Sequence, residues 1–246
     1  ENGINMCWLF QGGAIAHLID SAYQRQLKSN DFFCRTIQHE QAAGFAADGF
    51  SRVGKKMPVV MVTSGPGATN LITSIACNWY DSVPVLYISG QVRTWELAAT
   101  KQRQKGFQET DIINIVKPIV KYANEITKLD DLRYCFQEAI WHANNGRKGP
   151  VFISLPMNLQ WEEIQPENMM CFSPPEKKPF NKNLHDQQIN TISNMLKSSG
   201  KVAILIGSGA DDAEVLKLLT PFCQSAEIPI LTTYGAKHFI SSDAEC

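Results

Sequence analysis

The chain has 246 residues, 44% of them apolar, and a formal net charge of −1. That length can bury a sizeable core in one large domain or two small ones, and the near-neutral charge favours neither nucleic acid nor an anionic membrane as a partner. Seven cysteines, at positions 7, 34, 77, 135, 171, 223 and 246, include no Cys-x-x-Cys spacing, which speaks for reduced thiols in a cytoplasmic protein and against a disulfide scaffold or zinc site. No basic-then-apolar leader opens the chain, and from Glu1 to Cys246 it reads as a piece of a longer polypeptide. The uncharged stretch between Lys56 and Asp81 is long enough to span a bilayer, but Pro58 and Gly65-Pro66-Gly67 divide it into strand, turn and helix.

In chain order, Met6 to Phe10 predicts a short strand. Gly12-Gly13 follows as a turn needing φ > 0, then a helix with Ile15, Leu18, Ile19 and Ala22 on one face. Phe32 to Ile37 is an apolar, β-prone run ending at His39-Glu40, and Ala42, Ala43, Ala46 and Ala47 then predict a tightly packed helix. Pro58 to Thr63 is continuously apolar, as in a strand buried on both faces of a parallel sheet. Ser64-Gly65-Pro66-Gly67 turns it into a helix carrying Leu71, Ile72, Ile75 and Ala76. Pro84 to Ser89 is a third buried strand, and Ile119 to Ala123 predicts a further one. Leu129 to Asn144 is an amphipathic helix closed by Asn145-Gly146, and Gly149 to Pro156 is the last strand of this domain.

Alternating strands and helices define an α/β class: a doubly wound parallel-sheet domain over residues 1–164. Prolines 166, 174, 175 and 179, with Lys177-Lys178 between them, mark a linker over 165–184. Residues 185–246 open a second, Rossmann-like domain with a βαβ unit. It comprises a helix with Ile189, Ile192, Met195 and Leu196, buried strand Val202–Ile206, Gly207-Ser208-Gly209-Ala210-Asp211, a helix through Val215 and Leu219, and strand Ile228–Leu231. A lone carboxylate at a strand-to-helix junction beside a Gly-Pro-Gly turn is where an open α/β sheet would put a site.

His39-Glu40-Gln41-Ala42-Ala43, Thr63-Ser64-Gly65-Pro66-Gly67-Ala68-Thr69-Asn70, Asp81-Ser82-Val83-Pro84, Ser89-Gly90-Gln91-Val92 and Gly106-Phe107-Gln108-Glu109 occur in this order. Together they resemble the pyrimidine-binding domain of thiamine-diphosphate enzymes of the acetolactate (acetohydroxyacid) synthase family, densely over residues 8 to 165. The resemblance implies a transferase of branched-chain amino-acid biosynthesis that decarboxylates a 2-oxo acid, pyruvate, and passes the two-carbon unit to a keto acceptor. It implies that Glu40 hydrogen-bonds N1′ of the cofactor's aminopyrimidine, so that the cofactor's own imino nitrogen can remove the C2 proton. Gly65, Pro66 and Asn70 would line that cofactor, Gly13 would lie beside substrate, and Phe107 and Gln108 would reach toward substrate and intermediate. Magnesium would hold the diphosphate through ligands outside this segment, leaving none here. In FAD-containing members the positions of Arg147, Gly207, Gly209 and Thr233 contact the flavin cofactor. The assembly implied is a homodimer or homotetramer with an active site shared between subunits.

Read from the residues alone, Glu40 also suits an acid in a first helical turn, favoured by the helix dipole, and Arg147 a base after a helix C-terminus. The loop Gln91–Gly106, with Arg93, Lys101, Arg103 and Lys105 against Glu96, would meet a phosphate or be a solvated loop. Met157 stands where these synthases usually have Lys, and Arg93 where many have Pro. The motif ending this loop resembles a subgroup linked to surface-polysaccharide synthesis, which would supply a keto-sugar nucleotide as acceptor. A third reading is a non-catalytic nucleotide-binding or dimerisation module.

Overall fold

The computed structural model describes residues 3–99, 102–176, 181–210 and 213–240; Lys101, Lys177, Lys178, Pro179, Asp211 and Cys246 of the reading above lie outside them. The chain forms two compact units that divide between Pro174 and Pro175.

In the first unit β1 (Met6–Leu9) leads through a 3-10 turn at Gly13–Ile15 into α1 (Ala16–Lys28), and β2 (Phe33–Thr36) leads into α2 (Glu40–Gly54). After β3 (Val59–Val62) come a single turn α3 (Pro66–Thr69) and then α4 (Ile72–Asp81). β4 (Leu86–Gln91), α5 (Ile112–Val116), β5 (Tyr122–Glu125), α6 (Leu132–Asn144) and β6 (Val151–Pro156) complete it. All six strands are parallel, in the order β2-β1-β3-β4-β6-β5. The chain steps outward from β1 to β2 and then returns through β3 to build the other half, so the switch point lies between β1 and β3. The doubly wound α/β class read from the sequence is the fold observed.

Strand alternation sorts the core into two layers. Val59 and Met61 of β3 join Leu86, Ile88, Val151 and Ile153 on one face, under α1 and α6. Val60 and Val62 join Tyr87 and Phe152 on the other, under α2, α4 and α5. On that second face α2 and α4 run close. A Cβ at Gly44 would stand 2.0 Å from Ser74 Oγ and 2.5 Å from Ser74 Cβ. A buried polar relay sits behind this contact: Tyr87 Oη donates to Asn78 Oδ1 at 2.5 Å, and Asn78 Nδ2 donates to Asp48 Oδ1 at 2.6 Å. Arg52 closes it by pairing with Asp48 at 2.8 Å and Asp81 at 2.6 Å.

Several expectations shift. The strand placed at Ile119–Ala123 begins at Tyr122, because Lys117–Ile119 forms a 3-10 turn around Pro118, whose nitrogen cannot donate to a ladder. The preceding helix α5 is absent from the sequence reading. Gly12 is not in the left-handed region: its φ is −176°, and what requires glycine is space, since a Cβ there would meet Thr63 at 2.5 Å. The helix expected from Pro66 through Ala76 is two pieces, broken at Asn70 and Leu71.

In the second unit α7 (Lys182–Ser198) precedes β7 (Ile204–Ile206), α8 (Ala213–Ser225) and β8 (Ile230–Thr232), with β7 and β8 pairing in parallel. The strand read as buried is so only in part: Ile206 is buried, while Leu205 is 67% exposed. Ile189, Ile192 and Met195 of α7 are also exposed, because a two-stranded sheet offers little surface to cover them.

Gly44→Ala tests the helix contact. Overpacking of this kind costs about 1–3 kcal/mol, against about 1 kcal/mol gained in helix propensity. We expect a lower midpoint in urea denaturation, recovered in part by adding Ser74→Gly. An unchanged midpoint would show that α2 and α4 separate freely.

Candidate active site

The loops leaving β1, β2 and β3 converge at the carboxyl edge of the sheet, at the switch point. Thr63, just past β3, is their meeting place: Ala14 N donates to Thr63 Oγ1 at 3.3 Å, and both Gly12 and Gly67 abut the Thr63 side chain so closely that a Cβ would clash. From the β2 side, Ile37 N donates to Leu9 O at 2.9 Å, which carries the chain over the end of β1 towards Glu40.

Glu40 is the first residue of α2, after an N-cap at His39 whose Nδ1 accepts from Gln41 N at 3.2 Å. Its side chain turns inward and is only 7% exposed. Asn70 Nδ2 donates to Glu40 Oε2 at 2.9 Å. Oε1 has no hydrogen-bond donor among the described residues and looks past Gly67, where a Cβ would come within 3.3 Å of it. The amino end of α2 favours the negative charge. The arrangement presents one carboxylate oxygen to a donor from outside while the other is held.

A second approach comes from the loop after β4. Gly65 has φ 59° and Gln108 has φ 58°, both left-handed, and a Cβ at Gly65 would sit 2.5 Å from the Gln108 carbonyl oxygen. Gln108 therefore lies directly over the Gly65-Pro66 turn, and only glycine admits it. Phe107 beside it is 85% exposed.

Two residues that the sequence reading gave no role keep this loop in place. Glu109 Oε1 accepts from Ala98 N at 2.5 Å, and Oε2 accepts from Lys105 N at 2.7 Å and Gly106 N at 3.2 Å. Gln91, at the end of β4, donates from Nε2 to Thr110 O at 3.1 Å and to Glu125 Oε2 at 3.0 Å, and accepts from Val92 N. Both stand within the quoted motifs, but a carboxylate gathering backbone amides across a loop has no signature in residue spacing.

The other expected residues separate into groups. Gly13 lies in the turn after β1, open to space and beside the Thr63 cluster. Arg93 pairs with Glu96 at 3.5 Å and lies over Trp95, and Lys105 Nζ donates to Trp95 O at 2.7 Å, so these two cations are engaged within their own loop while Arg103 is exposed. Thr94 N donates to Asn158 Oδ1 at 2.9 Å, which makes Arg93 and Met157 close neighbours across the ends of β4 and β6. Arg147 is not brought to Glu40. It stands before β6, at the opposite edge of the sheet, where its Nε donates to Ser82 Oγ at 2.6 Å. With Trp79, Tyr80, Lys121 and Lys148 it lines an open cavity of about 310 Å³. In the second unit, Thr233 N donates to Ile206 O at 2.9 Å, which sets Thr233 beside Gly207 at the carboxyl edge of β7 and β8, with Gly209 one turn on.

The Glu40 site fits the pyrimidine of thiamine diphosphate by the chemistry of its donor set: a ring nitrogen that must share a proton meets a buried, half-satisfied carboxylate next to glycine backbone. Residues 1–115 match the family described as thiamine pyrophosphate enzyme, N-terminal TPP binding domain. The chain is similar to acetolactate synthase large subunits. It is 34% identical over 238 residues to that of Buchnera aphidicola, covering 95% of this chain and 39% of the relative. It is 31% identical to the isozyme 3 large subunit of Escherichia coli, covering 94% and 39%. With a probable acetolactate synthase large subunit of Methanocaldococcus jannaschii the identity is 33%, covering 98% and 39%. The chain thus spans about two fifths of the length of these curated relatives.

Glu109→Ala removes the acceptor for three backbone amides. We expect tryptic cleavage at Arg103 and Lys105 to accelerate at least about tenfold, the ratio that ~1.4 kcal/mol of lost local stability gives when cleavage follows loop opening, with the cooperative unfolding transition retained. Cleavage at the parental rate would show that Glu109 does not hold the loop.

Proposed function

We propose that the first unit supplies the pyrimidine-side half of a thiamine-diphosphate site in a cytoplasmic, acetolactate synthase-like enzyme. Its reaction is decarboxylation of pyruvate and transfer of the two-carbon unit to a second 2-oxo acid. The observation that carries this is Glu40: buried, held by Asn70 through Oε2, and open at Oε1 at the β1/β3 switch point. Bound there, the cofactor would supply an acidic carbon and an electron sink for the decarboxylation. Glu40 Oε1 would hold the proton at the pyrimidine nitrogen, with Asn70 fixing the carboxylate's rotation. Gly65 and Gly67 let backbone approach without side chains in the way, and Pro66 starts the turn that carries Asn70 into position. Gln108, poised over Gly65, would orient the substrate, with Phe107 and Gly13 also reaching it. Magnesium and the diphosphate take their ligands outside residues 1–246.

The same reading requires a second copy of the chain. Pro66, Asn70, Phe107 and Gln108 are all exposed, so this chain closes only part of the space around Glu40. We propose a dimer or tetramer in which the partner covers that side. FAD is proposed as a second cofactor. The Arg147 cavity offers three cations and two aromatic rings, which suits a phosphate joined to a planar ring. In the second unit the open glycines 207 and 209 beside Thr233 leave room for a nucleotide at a strand end.

In the full-length protein, Glu40→Gln is expected to slow hydrogen–deuterium exchange at the thiamine C2 by about 10²–10⁴-fold, the usual contribution of positioned acid–base assistance. Gln is isosteric and keeps a hydrogen bond to Asn70, so melting behaviour and thiamine diphosphate affinity should stay near those of the parent. Exchange at the parental rate would remove Glu40 from the role.

For Arg147→Ala, a lost hydrogen bond to a charged group of about 1.5–3 kcal/mol predicts roughly 10–150-fold weaker flavin binding. Decarboxylation should remain measurable, since Arg147 lies at the other edge of the sheet. Purified full-length protein without flavin absorbance, and not taking up added FAD, would end that part of the proposal.

A further inference from the structure

Cysteines 7 and 34 stand apart from the other described cysteines. β1 and β2 pair in parallel with Cys7 opposite Cys34 in register, so both side chains leave the sheet on the same face. That face is the layer under α1: Cys7 is a buried member of it and Cys34 packs on its margin. Adjacent strands lie about 4.8 Å apart, inside the Cα separation of about 4.4–6.8 Å that a disulfide tolerates. The Cβ atoms must close by roughly 1 Å to reach disulfide geometry. β2 can yield by that much, because it is the edge strand and pairs only with β1.

The two thiols differ in the way a reactive pair requires. Cys34 is half-buried, while Cys7 is 1% exposed. The Cys7 thiol donates to Trp8 O at 3.8 Å. The adjacent Cys7 sulfur and the charge of neighbouring Arg35 hold the Cys34 thiol below the ordinary cysteine value, while Cys34 and burial push Cys7 well above it. The reachable sulfur is thus the one that ionises first, and its neighbour keeps its proton until needed.

We propose that Cys7 and Cys34 form an oxidant-responsive dithiol site, closed to an intramolecular disulfide by hydrogen peroxide. The Cys34 thiolate attacks one peroxide oxygen, the O–O bond breaks, and hydroxide leaves and is protonated to water, giving a sulfenic acid on Cys34. The Cys7 sulfur then attacks Cys34 Sγ, an S–S bond forms, the S–O bond breaks, and the Cys7 proton leaves with the hydroxyl as a second water. Two thiols are oxidised by two electrons and one peroxide is reduced to two waters.

The test treats the purified full-length protein with hydrogen peroxide, blocks remaining thiols under denaturing conditions, and maps cysteine peptides by mass spectrometry. The expected result is a Cys7–Cys34 cross-linked peptide, lost on treatment with dithiothreitol, with both cysteines disappearing from the alkylated pool together. Cys34→Ser, at a half-buried edge position, should leave Cys7 as alkylatable after peroxide as before it. Cys7→Ala should carry Cys34 on to sulfinic acid, since no resolving thiol remains. Should Cys7→Ala not fold, the Cys34→Ser comparison decides alone. Oxidation of Cys34 to sulfinic acid in the parent with Cys7 still free, or pairing of Cys34 with any other cysteine, would overturn the assignment, as would loss of the Cys7 thiol in Cys34→Ser.

Discussion

A carboxylate kept out of water with a single donor is the constraint on which the rest of the first unit depends. Taking an ion out of water costs several kcal/mol even after relaxation. Asn70 returns about 1.5–3 kcal/mol through a hydrogen bond to a charged group, and the amino end of α2 up to about 2 kcal/mol. These terms leave Glu40 tolerated, with an unused acceptor at Oε1. The unit meets that cost by packing: Ala43 and Ala47 of α2 are buried against the sheet, and Gly44 brings α2 within touching distance of Ser74 on α4. Since Asn70 sits at the break between α3 and α4, the same helix contact that stabilises the fold also fixes the distance between acid and amide.

How much of this could be read beforehand depended on whether a residue acts locally. The strands buried on both faces were plain from unbroken apolar runs, and β3, β4 and β6 appear within two residues of their expected starts. The Glu40 site was legible because its parts lie at the ends of such strands. What failed were features set by contacts across the chain. Gly12 was read as a φ requirement and proves to be a space requirement imposed by Thr63, 51 residues on by number, which no local pattern contains. Glu109 was a motif letter until its three amide donors were seen. α5 escaped because Ile112, Ile113 and Val116 are too few residues for helical periodicity to show against a neighbouring proline turn.

The unit separates its chemistry by edge. Carboxyl-end loops bring together Glu40, Asn70, Thr63, Gly65 and Gln108, an assembly of one acid, small residues and amides. The amino edge carries Arg147, Lys121 and Lys148 beside Trp79 and Tyr80. Among these, Lys121 donates to the carbonyl of Asn145 at 2.6 Å, and its partial burial lowers its pKa. An anion at this edge would therefore meet positive charge already partly freed from water, while an anion at the other edge would meet Glu40. Parallel strands make this division possible, since all six present the same end to the same side.

Asn70 shows why the candidate site is best understood as one wall of a larger one. Its amide is spent on a buried carboxylate, yet the residue itself is exposed, as are Pro66, Phe107 and Gln108 around it. A drier surrounding strengthens a charged hydrogen bond, so the Glu40–Asn70 bond gains further when that face is covered. A ligand and a covering surface would do this together. Covering alone would bury Oε1 without a partner, which is costly, and a ligand alone would leave the bond wet. Occupancy and closure are therefore coupled at Glu40, and the open oxygen is the point at which each makes the other more favourable.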